Sequence, residues 1–525
     1  MAISAISGMG GIGKTELAVQ YAWKHLTEKT YPGGVVWLKA REDVATQIVL
    51  FARSLPMPQP PDDFDPAAKV AFYWRNWQDA KTLVILDDVQ DYGTIKPLLP
   101  VDPRFKILLT TRLTLQLPVQ KFEIKVLSEE KAIELLRAIA TQGRDGKDLR
   151  FLEEIGGLER QLCQWLGYLP LGLELVGRYL AWDEDVTLSV LWQRLHEKRT
   201  DAIALQQTYP GMTATLGVAA AFELSWEVLN ESARQLAALL SLFALAEIPW
   251  KLVEACLPEV DAEELQRLRN NELVGLHLLE RTGQGMYQLH QLLREFFAAK
   301  REQRAEADVI KQTLCRVMAA VADQMPINPT RSQIEQFTAV IPHLKEATTT
   351  LQPWLTDVDV ITPSTRIAQF YEGQADYRQA LLWYQHCRET SEDRLGKDHP
   401  TTATSLNNLA LLYKSQGRYS EAEPLYLRSL QIREQQLGAD HPTTASSLNN
   451  LAELYRSQGR YGEAEPLYLR TLAILFNSLG QDHPNSQTVW KNFIALLTQV
   501  MQAGQTAQLS QHPLTQDLLR QMQEQ

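Results

Sequence analysis

Gly8-Met9-Gly10-Gly11-Ile12-Gly13-Lys14-Thr15 stands almost at the start of this chain, and its spacing decides the fold expected around it. Glycines let backbone N–H groups curl round an anion without Cβ clashes. A helix beginning near Lys14 points its positive end at the same place. Lys14 reaches the β- and γ-phosphates of a nucleoside triphosphate, and the Thr15 hydroxyl suits Mg2+. The context fits: the apolar strand Ala2–Ser7 precedes the loop, and a helix carrying Leu17, Ala18 and Tyr21 follows it. The expected phosphate-binding set is Gly8, Met9, Gly10, Gly11, Ile12, Gly13, Lys14, Thr15 and Glu16, with ATP or ADP and Mg2+ as cofactors.

Outward from this loop, short apolar runs at 35–38, 83–86, 106–109 and 122–126 read as strands. Between them 15–25, 45–55 and 67–80 read as helices, and the proline- and aspartate-rich stretch 56–66 reads as a loop. Strands alternating with helices predict a parallel sheet covered on both faces. The run Thr82-Leu83-Val84-Ile85-Leu86-Asp87-Asp88 is a buried-type strand that delivers two carboxylates to the ligand-binding edge of such a sheet. Asp87 is the candidate for holding Mg2+ through water. Asp88 is the candidate catalytic group, orienting or deprotonating an attacking water. A third strand ends in Thr110-Thr111-Arg112, where Arg112 is placed to sense the γ-phosphate.

Beyond residue 130 the strand signal disappears. Ser128-Glu129-Glu130 is an N-cap with acids in the first turn. A helical subdomain is expected over 131–212. Helices followed by a hairpin turn at Thr282-Gly283-Gln284-Gly285 predict a winged-helix unit over 213–300. A helical linker is expected over 301–362. Then the sequence copies itself: His399-Pro400, His441-Pro442 and His483-Pro484 recur every 42 residues. Leu406-Asn407-Asn408-Leu409-Ala410 returns as Leu448-Asn449-Asn450-Leu451-Ala452. Such a period means stacked supersecondary units, expected over 363–500. The copy after His483 loses its second half, and 501–525 reads as a polar, fraying tail. The fold class is therefore multidomain α/β plus α: a P-loop parallel-sheet domain, a helical subdomain, a winged helix and an α-solenoid.

Composition bounds the function. The 525 residues carry a net charge of −11, which argues against general affinity for nucleic acid. No run of about 18 uncharged apolar residues predicts a membrane span. Cys163, Cys256, Cys315 and Cys387 lie far apart, outside any metal-ligand spacing, and read as reduced thiols of a cytoplasmic protein.

Taken in order, Gly8–Thr15, Leu86-Asp87-Asp88-Val89, Leu109-Thr110-Thr111-Arg112 and Gly167-Tyr168-Leu169-Pro170-Leu171 resemble the NB-ARC class of STAND P-loop ATPases, over about residues 1–300. The resemblance implies a signal-transduction switch, at most a slow ATPase. It implies that Pro170 packs near the adenine. The family's Met-His-Asp motif is matched by Leu289-His290-Gln291, which implies that His290 contacts the ADP β-phosphate in the closed state although its neighbours differ. In that family a segment with a Gly-Arg-Glu motif precedes the first strand and encloses the adenine. The given sequence starts too close to Gly8 to include it, so a fragment, a misassigned start or a truncated gene with weaker nucleotide affinity is expected.

Within one repeat Leu406, Leu409, Ala410 and Tyr413 follow helical spacing, Gly417 breaks the helix, and Tyr419, Ala422, Tyr426 and Leu430 mark a second. This resembles the tetratricopeptide repeat in the longer form of kinesin light chains. Asn407, Leu411 and Lys414, matched by Asn449, Glu453 and Arg456, fall on one flank of the first helices. They read either as a groove for a protein or peptide partner or, for the asparagines, as packing between repeats. Three functions follow: a nucleotide switch that self-associates when opened, a tetratricopeptide scaffold with a degenerate nucleotide site, and a DNA-binding regulator using the winged helix.

Overall fold

The computed structural model describes residues 2–7, 12–61, 64–77, 80–111, 119–141, 157–182, 186–195, 197, 216–327 and 329–523. Gly8, Met9, Gly10, Gly11 and Arg112 lie outside them. The chain divides into two compact units, one of Met1–Val321 with Thr330–Leu355, the other of Ala322–Pro329 with Thr356–Gln525.

The first unit opens with five parallel strands: β1 (Ala2–Ser7), β2 (Val35–Lys39), β3 (Thr82–Val89), β4 (Phe105–Thr111) and β5 (Val119–Glu123). Their order is β2-β3-β4-β1-β5. The first four match the apolar runs; β5 begins and ends earlier than 122–126, because the pairing of Ile3 with Val119 fixes its register on β1. Alternation along β3 splits the core. Leu83 and Ile85 face Ala18 and Ala22 of helix α1 (Lys14–Thr27). Val84 and Leu86 face a larger cluster with Ile48 of α2 (Val44–Arg53) and Tyr73 and Trp74 of α3 (Pro66–Asn76). Both sheet faces are thus buried, as an all-parallel sheet requires. Asp43 and Asp65 cap α2 and α3 by accepting from Thr46 N and Ala68 N.

Further along, α4 (Pro170–Trp182) follows a turn in which Gly167 and Tyr168 both adopt positive φ. The strands β6 (Ile248–Pro249), β7 (Glu280–Gly283) and β8 (Met286–Gln288) form an antiparallel sheet in the order β6-β8-β7, the wing, and α5 (Gln291–Glu302) follows it. Phe296 and Phe297 of α5 pack on Phe222 and Trp226. Of the stretch 301–362, the residues up to Val321 and Thr330–Leu355 belong to this unit. There the buried His343 accepts from Ala244 N at 3.2 Å through Nδ1, and its Nε2 lies 2.9 Å from Glu247 O.

The second unit is a run of helix pairs. The His-Pro dipeptides acquire a cause: His399, His441 and His483 each cap a helix, Nδ1 accepting from the backbone N–H two residues on at 3.1, 3.1 and 3.2 Å. The proline that follows fills the first helical position, where no N–H is needed. Buried Ala410, Ala422, Ala452 and Ala464 let the paired helices approach closely. The tail is ordered where it is described, through residue 523. Helix Pro513–Gln523 forms, and the buried Glu465 carboxylate accepts from Ser510 N, Ser510 Oγ and Thr515 Oγ1 at 2.6, 2.8 and 2.6 Å. One repeat earlier the matching Glu423 accepts instead from Tyr455 and Arg460 of the next repeat. The positions that would supply those donors to Glu465 are Leu497 and Gln502, so the tail substitutes its own hydroxyls. All four cysteines are free and buried. Among the described residues no helix is long and apolar enough to cross a membrane, and no cluster of side chains forms a metal site.

Candidate functional site

The site lies at the carboxyl ends of β1, β3 and β4. Gly13, in the left-handed region at φ +91°, turns the chain into α1 without a side-chain cap, so the first-turn N–H groups face the loop. Lys14 is buried, and Thr15 donates to Asp87 Oδ1 at 2.9 Å across the 72 positions that separate them. Thr110 donates to the same oxygen at 2.5 Å and accepts from Asp88 N at 2.7 Å. Burial pushes the Asp87 carboxyl above its ordinary range against the hydrogen bonds from Thr110 and Thr15, with Asp88 adding to the rise and Lys14 opposing it. A carboxylate desolvated in this way gains from a cation beside it. The donor set therefore fits Mg2+ held by Thr15 and, through water, by Asp87.

Asp88 turns the other way. Its backbone sits at φ +59°, and its carboxylate pairs with Arg41 Nε. Arg41 Nη2 donates to Gln291 Oε1 at 2.8 Å. The Gln90 carbonyl oxygen faces both Nη atoms of Arg41 at 2.8 Å once its amide is set for hydrogen bonding. A second bridge joins Lys39 to Glu247 at 2.7 Å. Thr110 stands in the run Leu109–Arg112 without its role being legible there, and Arg41 sits in no spaced motif; their partners are 23 and 47 positions away.

Pro170 lies beside Gly13: a Cβ added to Gly13 would lie 4.0 Å from Pro170 Cγ, in the first turn of α4. His290 is exposed at the start of α5 and caps it, Nδ1 accepting from Leu292 N at 3.2 Å. Glu16 lies on the exposed side of α1 and bonds Gln20 at 2.7 Å.

In the solenoid, Asn407 Oδ1 accepts from Asn450 at 2.9 Å and Asn449 Oδ1 from Asn492 at 3.2 Å. These bonds join successive first helices, the packing role of the two open for the asparagines. Glu453 gathers Arg456 through two bonds at 2.9 and 3.2 Å, Lys414 at 3.6 Å and the Tyr468 hydroxyl. Burial alone would raise its carboxyl, but the bonds from Arg456 and Tyr468 hold it below the ordinary range. Leu411 remains exposed beside this polar ladder.

Comparison with known proteins agrees with both halves. Residues 1–146 match the NB-ARC domain, and residues 359–435 and 408–475 match the tetratricopeptide repeat. The regulatory protein AfsR of Streptomyces griseus is 28% identical over 325 residues, covering 59% of this chain and 31% of that protein. The disease resistance protein RPP8 of Arabidopsis thaliana is 29% identical over 191 residues, covering 34% of this chain and 21% of that protein. The chain thus spans less than a third of the length of these relatives. Among solved structures, a STAND protein with a tetratricopeptide repeat sensor from Pyrococcus horikoshii aligns at 15% identity and a TM-score of 0.39, over 99% of this chain and 89% of that one. This chain therefore carries an NB-ARC domain at its start and tetratricopeptide repeats toward its end.

Proposed function

We propose that this chain is a nucleotide-dependent signalling switch of the STAND type, resident in the cytoplasm. The observation that carries the reading is the knot of Thr15, Asp87 and Thr110 beside the buried Lys14, at the uncapped start of α1. Lys14 would hold the β- and γ-phosphates, with the loop Gly8–Gly13 as cradle and Arg112 as γ-phosphate sensor. Thr15 and Asp87 would hold Mg2+, which supplies charge neutralisation at the phosphates. Pro170, against Gly13, would close over the adenine, and His290 would reach the β-phosphate of ADP in the closed state. Asp88 would orient a water, so that hydrolysis, where it occurs, is slow. ADP then favours the closed arrangement and ATP the open one, and the switch works by their difference in affinity for the two states. A protein or peptide on the flank of Leu411, Lys414, Glu453 and Arg456 would bias opening and self-association.

The experiment is to identify the nucleotide that co-purifies with the chain and to titrate ADP and ATP with and without Mg2+. Bound ADP or ATP, lost in Lys14→Ala, supports the switch. Protein that carries neither and binds neither sinks it. The inter-repeat asparagine bonds favour a second reading, a scaffold whose rigid repeats dock partners irrespective of nucleotide. That reading wins if Lys14→Ala leaves partner binding and oligomeric state unchanged.

A further inference from the structure

We propose that Arg41 is a positioning residue that ties the orientation of Asp88 to the seating of the wing and α5, an inference that rests on the switch reading for its consequence. Arg41 sits between β2 and α2, and all three of its guanidinium nitrogens are engaged. Nε holds Asp88, Nη2 holds Gln291, and both Nη atoms face Gln90. The Arg41 and Asp88 side chains are 18% and 33% exposed, so water competes only partly for this pair. A planar fork of this kind fixes direction as well as distance, which a lysine ammonium does not.

The two ends of the bridge have different freedom. Asp88 is pinned through its backbone: its N–H donates to Thr110, whose hydroxyl in turn holds Asp87. Gln291 is the first residue of α5, directly after His290, and its amide also donates to Glu295 at 2.8 Å. Any shift of α5 therefore pulls on Arg41, and Arg41 pulls on the carboxylate at the phosphate edge. Lys39, the register partner of Asp87 on β2, is bridged to Glu247 at 2.7 Å and joins the same two parts of the unit. The acid that would orient water is thereby held by a neighbouring subdomain, 250 positions from Arg41 in sequence at its far end. Seating of α5 and orientation of Asp88 change together.

The test is hydrogen–deuterium exchange on the full chain without nucleotide, comparing Arg41→Ala, Arg41→Lys and Gln291→Leu with the parent. Loss of one charge-assisted bond makes local opening about tenfold easier. The expected result is about tenfold faster exchange in both 86–91 and 289–295 for Gln291→Leu, with no further gain when Arg41→Ala is added and no rescue by Arg41→Lys. Unchanged exchange in 105–109 and 307–321, elsewhere in the first unit, shows that the variants fold. Gln291→Leu that loosens only 289–295, or additive effects in the double variant, overturns the coupling. Because no nucleotide is present, the coupling stands or falls separately: a chain that binds no nucleotide ends the switch reading but leaves this result readable.

Discussion

The nucleotide edge and the solenoid are assembled by opposite means. At the edge the decisive contacts are solitary and join distant stretches: Thr15 to Asp87 over 72 positions, Arg41 to Asp88 over 47, Arg41 to Gln291 over 250. In the solenoid the contacts are short-range copies of one another. Arg428 donates to Glu392 and to Lys397 O, and Arg470 repeats this with Glu434 and Ala439 O at the same offsets of 36 and 31. Thr402 bonds Gly396 O, and Thr444 bonds Gly438 O, again at one offset. Stability of the first kind depends on a few contacts without substitutes; stability of the second kind is a sum of nearly equal neighbour terms. Damage should therefore abolish a property at the edge and merely subtract from one in the solenoid.

The largest effect is expected at Lys14. Lys14→Ala should weaken ADP and ATP binding by about 100-fold, the worth of one or two charge-assisted hydrogen bonds. Calorimetric titration measures it, and unfolding of the repeats should not move. A parallel loss of repeat stability would break the contrast.

Next comes His343. Burial pulls its imidazole down from 6.5 to about 4, helped by the charge of Arg294 and opposed by the Glu247 carbonyl. The neutral ring is the folded form, so its contribution is intact above pH 6.5. Below that the unfolded chain takes up a proton and stability falls until about pH 4. The loss is on the order of 3 kcal/mol. Denaturant titration of the first unit across this window should show it, and His343→Leu should lower stability overall while flattening the slope. A slope unaltered by the substitution would contradict the assignment.

Gly462 tests the solenoid where the tail packs against it. A Cβ there would come within 2.8 Å of Gln508 O, whereas the preceding repeat carries Ser420 at the matching position. Gly462→Ser makes the repeats more alike yet should cost about 1–3 kcal/mol through overpacking. Exchange protection should fall across 509–523 and persist in 400–457. Protection lost evenly would mean that the tail is not a separate element.

Smallest is the cap. His399→Ala and His441→Ala should each cost about 1 kcal/mol, and nearly the same amount, because the caps are copies. Urea unfolding of each variant decides this; unequal losses would show that the repeats are not energetically equivalent.

The same contrast governs what the sequence could disclose. The strand Ala2–Ser7, the helix Lys14–Thr27, the acids closing β3 and the helix pairs are local patterns, and each falls where the sequence placed it. The bonds of Thr110 and Arg41 are silent because hydrogen-bonding partners far apart in sequence leave no periodic trace. The tail misled for a related reason. Its glutamine-rich composition hides a short apolar stripe of Leu514, Leu518, Leu519 and Met522, while a group that orders it, Glu465, is disguised as an ordinary member of the repeat. The asparagines at 407 and 449 were ambiguous since an amide serves a peptide backbone and a neighbouring amide equally well.

A column of self-similar units presents, at its last member, the same face that each unit offers to the next. Left bare, that face invites a second molecule to continue the column, and head-to-tail contacts that do not close build fibres. Glu465 and its three donors from the tail occupy the acceptor that an incoming unit would use. Ser510 and Thr515 thus take on Glu465 the place that Tyr455 and Arg460 of the next repeat take on Glu423, and close that carboxylate to a further unit.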